Sequence, residues 1–169
     1  MDTFFEQIVA IRKNGKNIAC LIGIWLLALI ISALLFLTMI LGSLTLLVIA
    51  GVIYGAFKLS GFFNIEYEYI VTNGTFDVDK IVNKSSRKRM MSFELATVSR
   101  LEKFNAAQLN SIDSKKLLIA CDTTAENTYL LVSEKEGKGA QYLVFSPNEK
   151  MQSAIVKFLP KFIANSAFK

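Results

Sequence analysis

The chain has 169 residues, 53% of them hydrophobic and 20% charged, with a mean hydropathy of +0.42 and a formal net charge of +5. A soluble domain is about 45–50% apolar and about 25% charged, so one segment must be unusually apolar, and the length fits one or two domains. Histidine is absent, which excludes Ser-His-Asp and Cys-His catalysis and every histidine-containing zinc site.

Residues 1–17 read as a short amphipathic helix. Thr3 and Glu6 form a capping box, Asn14-Gly15 is a stop signal, and Phe4, Phe5, Ile8 and Ile11 share an apolar stripe. Such a helix lies in a membrane interface or packs on a folded domain. From Ile18 to Phe57 no residue is charged. A helix needs about 20 apolar residues to cross about 30 Å of hydrocarbon, so this run is two spans rather than one. A cleaved signal peptide would have an apolar region of only about 7–15 residues. The dividing point is Gly42-Ser43, which predicts a two-helix transmembrane hairpin over 18–62, with spans at about 18–40 and 44–62.

Arg12, Lys13 and Lys16 precede the first span and Lys58 lies at the end of the second, whereas the connecting turn has no Lys or Arg. The positive-inside rule then predicts a multi-pass protein of the cell membrane with both termini cytoplasmic. Cys20 falls in a span and Cys121 in the tail, so they are not disulfide partners and a reducing compartment fits. In that orientation the glycosylation patterns at Asn73-Gly74-Thr75 and Asn83-Lys84-Ser85 are chance matches. No charge inside the spans argues against an ion pathway. Gly51 and Gly55 form a GxxxG pattern followed by Ala56, and Ala28 and Ser32 are a small pair on the first span. These serve either packing of one span on the other or homo-oligomerisation.

Residues 64–169 change character to strand patterns with interspersed charge. Ile65, Tyr67, Tyr69 and Val71 alternate with Glu66, Glu68, Ile70 and Thr72, and Asn73-Gly74 is a strong hairpin signal. The next strand is predicted over 75–82, with further strands over 87–95, 97–104, 117–122, 129–133 and 141–145. Ser146-Pro147-Asn148-Glu149 reads as a capping box with proline at the first helical position. Met151, Ile155, Phe158, Leu159 and Phe162 then give a helix its apolar face, which Pro160 ends or kinks. The expected architecture is mainly β, with seven antiparallel strands and one C-terminal capping helix.

This order of elements resembles the pleckstrin-homology superfold. A membrane hairpin followed by Tyr67-Glu68-Tyr69, Thr72-Asn73-Gly74, Asp79-Lys80-Ile81 and Arg87-Lys88-Arg89 is similar to bacterial two-span membrane proteins that carry a cytoplasmic PH-like domain. The resemblance covers nearly the whole chain and implies a membrane-anchored scaffold with no enzymatic activity and no cofactor. Phosphoinositide-binding members carry spaced Lys and Arg around their first hairpin. Lys84 and Arg87-Lys88-Arg89 have a similar spacing but follow the second strand, so that specificity is not carried over.

The two-residue turn fixes an expected register in which Tyr69 opposes Val78 and Glu68 opposes Asp79. Tyr67, Tyr69, Val71, Phe76 and Val78 then face the core, while Glu66, Glu68, Asp77 and Asp79 share the other face. Directly opposed Glu68 and Asp79 cost stability, which a cation or Lys88 would offset. Pairing Phe93 with Phe76 and Met91 with Val78 continues the core and sets Arg89 opposite Lys80. Lys80, Lys84, Arg87, Lys88 and Arg89 would then crowd around the second turn on the membrane side. They are either a contact for anionic headgroups, at about 1 kcal/mol per basic residue, or a solvated turn that obeys the charge bias.

Asp77 and Asp79 form a DxD pattern, common by chance and here without a nucleotide-binding fold, so neither a catalytic nor a metal site is expected. Cys121 lacks a histidine to activate it and is expected in a buried strand. Gly137-Lys138-Gly139 reads as a hairpin turn, since the Walker spacing is missing. The mild net charge and the lack of an aromatic-basic platform exclude nucleic acid as a partner. The expected partners are membrane lipids, another protein, or further copies of the chain.

Overall fold

A computed structural model describes residues 3–38, 40–125, 127–135 and 139–168. The chain divides into two compact units: Arg12–Ile65 with Val82–Ser85, and Met1–Ile11 with Glu66–Ile81 and Ser86–Lys169.

The first unit is a helical hairpin. Helix α1 spans Gly15–Thr38 and α2 spans Thr45–Gly61, joined through a 3-10 turn at Gly42–Leu44. Gly42 sits at φ +53°, a conformation open to glycine at little cost, and so permits the reversal where the sequence predicts it. Helix α1, and α2 together with the 3-10 turn before it (Gly42–Gly61), are long and apolar enough to cross a bilayer. Their large side chains are mostly exposed, as expected of a surface that faces hydrocarbon instead of water, while Ala28, Thr45, Ala56 and Gly61 are buried.

Among the described residues the second unit holds eight strands in two four-stranded sheets. In the first, β1 (Phe4–Ala10), β2 (Ile65–Thr72), β3 (Thr75–Val82) and β4 (Ser86–Glu94) lie in sequence order. In the second, β5 (Val98–Lys103), β6 (Leu117–Ile119), β7 (Tyr129–Lys135) and β8 (Gly139–Phe145) are ordered β5-β7-β8-β6. Three expectations are corrected here. The described residues form eight strands and two C-terminal helices, not seven strands and one helix. The sheets are not wholly antiparallel, because β6 runs parallel to β8. And the segment predicted as an N-terminal helix is strand β1, antiparallel to β2 from Phe4↔Thr72 to Ala10↔Glu66. Its burial alternates with period two, Phe5, Gln7 and Val9 turned inward and Phe4, Glu6, Ile8 and Ala10 outward. The helical hairpin is therefore the connection between two hydrogen-bonded neighbours.

The core is aromatic. Tyr69, Phe76 and Phe145 are fully buried, with Tyr69 edge-on to Phe76 at 6.1 Å and to Phe145 at 5.9 Å. Phe76 stacks on Phe93 at 6.4 Å, as the core pairing anticipated. The Tyr69 hydroxyl donates to the Ala120 carbonyl at 2.7 Å and accepts from the Ser146 amide at 3.3 Å, tying β2 to the ends of two segments of the second sheet. Burial pushes that hydroxyl's pKa well up.

Helix α3 (Glu149–Val156) is capped by Asn148, whose side chain accepts from the Met151 amide at 2.8 Å, not by the expected Ser146. The side chain of Gln7 on β1 donates to the Ser146 carbonyl and accepts from the Asn148 amide, fixing the entry to that helix. Pro160 separates α3 from a short α4 (Lys161–Ala164).

Candidate functional site

Both hairpin turns of the first sheet, two residues long at 73–74 and three at 83–85, begin with two residues at positive φ. Asn73 and Gly74 lie at φ +47° and +89°, and Asn83 and Lys84 at +51° and +54°. Two successive positive φ values define the turn whose twist suits an antiparallel hairpin. That explains both asparagines without glycosylation, since Asn tolerates the left-handed region. Lys84 has no such excuse. A lysine there costs roughly 1 kcal/mol against glycine.

The second turn is seated at the exit of α2, within the helical unit. The Asn83 amide donates to the Asn64 carbonyl at 2.8 Å, and the Asn83 side chain lies so close to Gly61 that a Cβ there would meet its Nδ2 at 2.7 Å. A side chain at Gly61 would therefore displace the Asn83 side chain.

The expected cluster of five basic residues divides. Arg87 and Arg89 turn onto the acidic face. Arg87 Nη2 lies 2.6 Å from Glu68 Oε2, reaching from β4 to β2. Arg89 bridges two aspartates of β3, with Nη1 2.7 Å from Asp77 and Nε 2.8 Å from Asp79. The hydrogen bond to Asp79 holds the Arg89 guanidinium's pKa above its ordinary value, with the charges of Asp77 and Asp79 adding to it against some desolvation. The two arginine side chains are about half exposed, at 55% and 52%, whereas Glu68 and Asp79 are 3% and 5% exposed, so the guanidiniums form the lid and the carboxylates lie beneath. Three carboxylates face two guanidiniums, and Glu68 Oε2 and Asp77 Oδ1 are buried without a well-directed hydrogen bond. Lys80, Lys84 and Lys88 make no ion pair among the described residues.

The expectation that set Arg89 opposite Lys80 is therefore corrected. Residues directly opposed across a ladder share a face, and Arg89 grips the face of Asp77 and Asp79 while Phe93, four positions later, stacks on Phe76 in the core. Strict alternation would place residues 89 and 93 on one face, so β4 breaks its alternation between them. Lys88, the residue nominated to offset Glu68 and Asp79, does not do so. Arg87 and Arg89 do.

Gly51 and Gly55 are not at the seam of the hairpin. A methyl group at either would meet nothing within 4 Å, while Ala28 of α1 and Ala56 of α2 are buried. A groove of about 820 Å³ runs along the hairpin, lined by Trp25, Ala28, Ser32, Phe36 and Ile49 among others. The Ser32 hydroxyl is buried there without a hydrogen-bond partner.

Cys121 is buried, just past the end of β6 instead of within a strand. Burial pushes its thiol pKa up to about 11, against a lowering hydrogen bond from Thr128. No group of three His, Cys, Asp or Glu among the described residues has the arrangement of a metal site. Gly137 and Lys138 of the predicted turn lie outside the described residues.

Sequence reasoning missed three contributors. The arginine lid was signalled only by Arg87 and Arg89 standing two apart, Gln7 by nothing local, and the Tyr69 bridge only by a tyrosine in a core alternation. Compared with known proteins, residues 1–165 match a family described as "Bacterial PH-like domain (DUF6106)". No curated protein and no solved structure matches the chain.

Proposed function

The chain belongs to this bacterial PH-like domain family, and from that premise we propose that it is a non-enzymatic, membrane-anchored module that binds or scaffolds another protein, held in one pose by basic contacts to anionic headgroups. The hairpin anchors the chain in the cell membrane with both termini cytoplasmic. The pairing of β1 with β2 supports that topology, because strands on either side of the hairpin are neighbours in one sheet and so must lie on one side of a bilayer.

The observation that carries the headgroup contact is Lys84. It occupies a left-handed turn position that Gly74 fills in the sister turn, at the exit of an apolar helix. A charge kept where its backbone is disfavoured suggests a use for that charge. Each lysine near an anionic surface contributes about 1 kcal/mol. Because the hairpin already anchors the chain, these contacts orient the domain instead of recruiting it.

Hydrogen exchange of the full-length protein in lipid nanodiscs tests this. Amides of the β3–β4 turn should exchange more slowly when phosphatidylglycerol is mixed into phosphatidylcholine, and added salt should weaken the difference. Equal exchange in both lipids would remove headgroup contact from the reading. Photocrosslinking in native membranes, with the domain surface as bait, addresses the protein partner.

A second reading, a homo-oligomer packed through the GxxxG helix, is favoured by the open space at Gly51 and Gly55. It predicts a self-crosslinked ladder in membranes that Gly51→Leu abolishes; a ladder that survives the substitution rejects this interface.

A further inference from the structure

We infer that the basic residues around the β3–β4 turn divide by chemistry into two jobs: Arg87 and Arg89 are positioning residues that neutralise buried carboxylates of the sheet, and Lys80, Lys84 and Lys88 are the charges that meet anionic headgroups. The lipid half of this rests on the function proposed above; the arginine half stands on the ion pairs alone.

The division follows the chemistry of the side chains. Arginine presents a planar fork of donors that can serve several carboxylate oxygens at once, and a guanidinium is weakly hydrated, so it tolerates a half-buried place. Arg89 uses that fork, with Nε and Nη1 on two different aspartates and Nη2 3.5 Å from the second oxygen of Asp79. Arg87 spans two strands to reach Glu68, which is almost fully buried. Without these guanidiniums, Glu68, Asp77 and Asp79 would be like charges crowded on neighbouring strands and cut off from water. Lysine instead carries a compact, strongly hydrated charge on a flexible stem. The lysines carry no ion pair among the described residues, and Lys84 and Lys88 are exposed. A guanidinium committed to buried carboxylates has little charge left for a phosphate, whereas an unpaired ammonium has all of it.

The test uses the full-length chain in nanodiscs of phosphatidylcholine, alone or mixed with phosphatidylglycerol, and reads thermal unfolding and hydrogen exchange of the turn. Arg87→Gln should lower Tm by about 3–6 °C, and Glu68→Gln placed in the same chain should restore most of the loss, with the phosphatidylglycerol-dependent protection intact. An Arg87→Gln chain that fails to fold but is recovered by Glu68→Gln counts as the same rescue. Lys84→Gln combined with Lys88→Gln should leave Tm within about 1 °C and remove most of the lipid-dependent protection. Loss of that protection in the Arg87→Gln, Glu68→Gln chain would overturn the division, as would strictly additive effects of the two substitutions on Tm. If the unaltered protein shows no lipid dependence at all, the headgroup reading fails, and the unfolding data alone still decide whether the arginines are sheet residues.

Discussion

Both faces of the first sheet hold buried side chains, but by opposite means. On the inner face, Tyr69, Phe76 and Phe93 pack ring against ring with Phe145 of the second sheet. On the outer face, Glu68 and Asp79 are as inaccessible as the aromatic rings, yet what covers them is a pair of half-exposed guanidiniums. Burial of an aromatic ring is itself a source of stability. Burial of a carboxylate is a liability that its partner cancels. The faces should therefore respond differently to substitution: the inner one by losing what it contributes, the outer one by exposing a penalty that a second, compensating substitution removes.

The largest effect is expected on the inner face. Phe76 touches three other rings of the core, and Phe76→Ala should destabilise the protein by about 3–5 kcal/mol, measured by denaturation of the full-length chain in micelles. No neighbouring substitution should restore it, because the lost term is packing. A cost under about 1 kcal/mol would mean that the rings are not the centre of the fold.

Next comes Tyr69→Phe, which keeps the ring and removes the hydroxyl. The Ala120 carbonyl and the Ser146 amide each lose a buried partner, so about 1–3 kcal/mol should be lost. This position tests whether the inner face is purely a matter of packing, since an effect near zero would make the Tyr69 hydroxyl dispensable.

On the outer face, Arg89→Lys keeps the charge and removes the fork. One ammonium cannot reproduce contacts to both Asp77 and Asp79. Because Arg89 is half exposed, water screens part of the loss, and about 1–2 kcal/mol is expected. Asp77→Asn in the same chain should recover part of it by removing the excess negative charge. Absence of that recovery would place Arg89 with the packing residues and erase the contrast between the faces.

These contrasts also explain what could be read from the residues in advance. The boundaries of β2 and β3 follow from Asn73-Gly74, a local signal that fixes a turn and hence two strands. The covered carboxylates were not readable, because alternation assigns polar residues to a solvated face and says nothing of arginines reaching across the sheet. Nor was β1. In Phe4–Ala10 the apolar positions fit a helical stripe as well as a strand, and the partner that decides between them, β2, lies more than fifty positions away across the helical hairpin. Gly51 and Gly55 follow the same logic: the pattern identifies a face that permits close approach, and only the fold shows that α1 does not take it. Of the candidate site, the five basic residues were legible as a group, but their division was not, because it depends on where β4 breaks its alternation.

The smallest effect, and the only gain, concerns Lys84. The sister turn carries Gly74 where this one carries Lys84, at comparable positive φ. Lys84→Gly relieves the left-handed strain of a side chain and should raise stability by up to about 1 kcal/mol, offset in part by the greater freedom of glycine in the unfolded chain. The neutral Lys84→Gln keeps the strain and loses the charge, so comparing the two separates backbone from electrostatics. Measured in phosphatidylcholine, only the glycine variant should be more stable than the original chain. Measured with phosphatidylglycerol present, both should lose turn protection to the same extent, because both lack the ammonium. If Lys84→Gly instead destabilises the protein in either lipid, the lysine stem is part of the packing at the exit of α2, and the turn holds Lys84 for its fit instead of its charge.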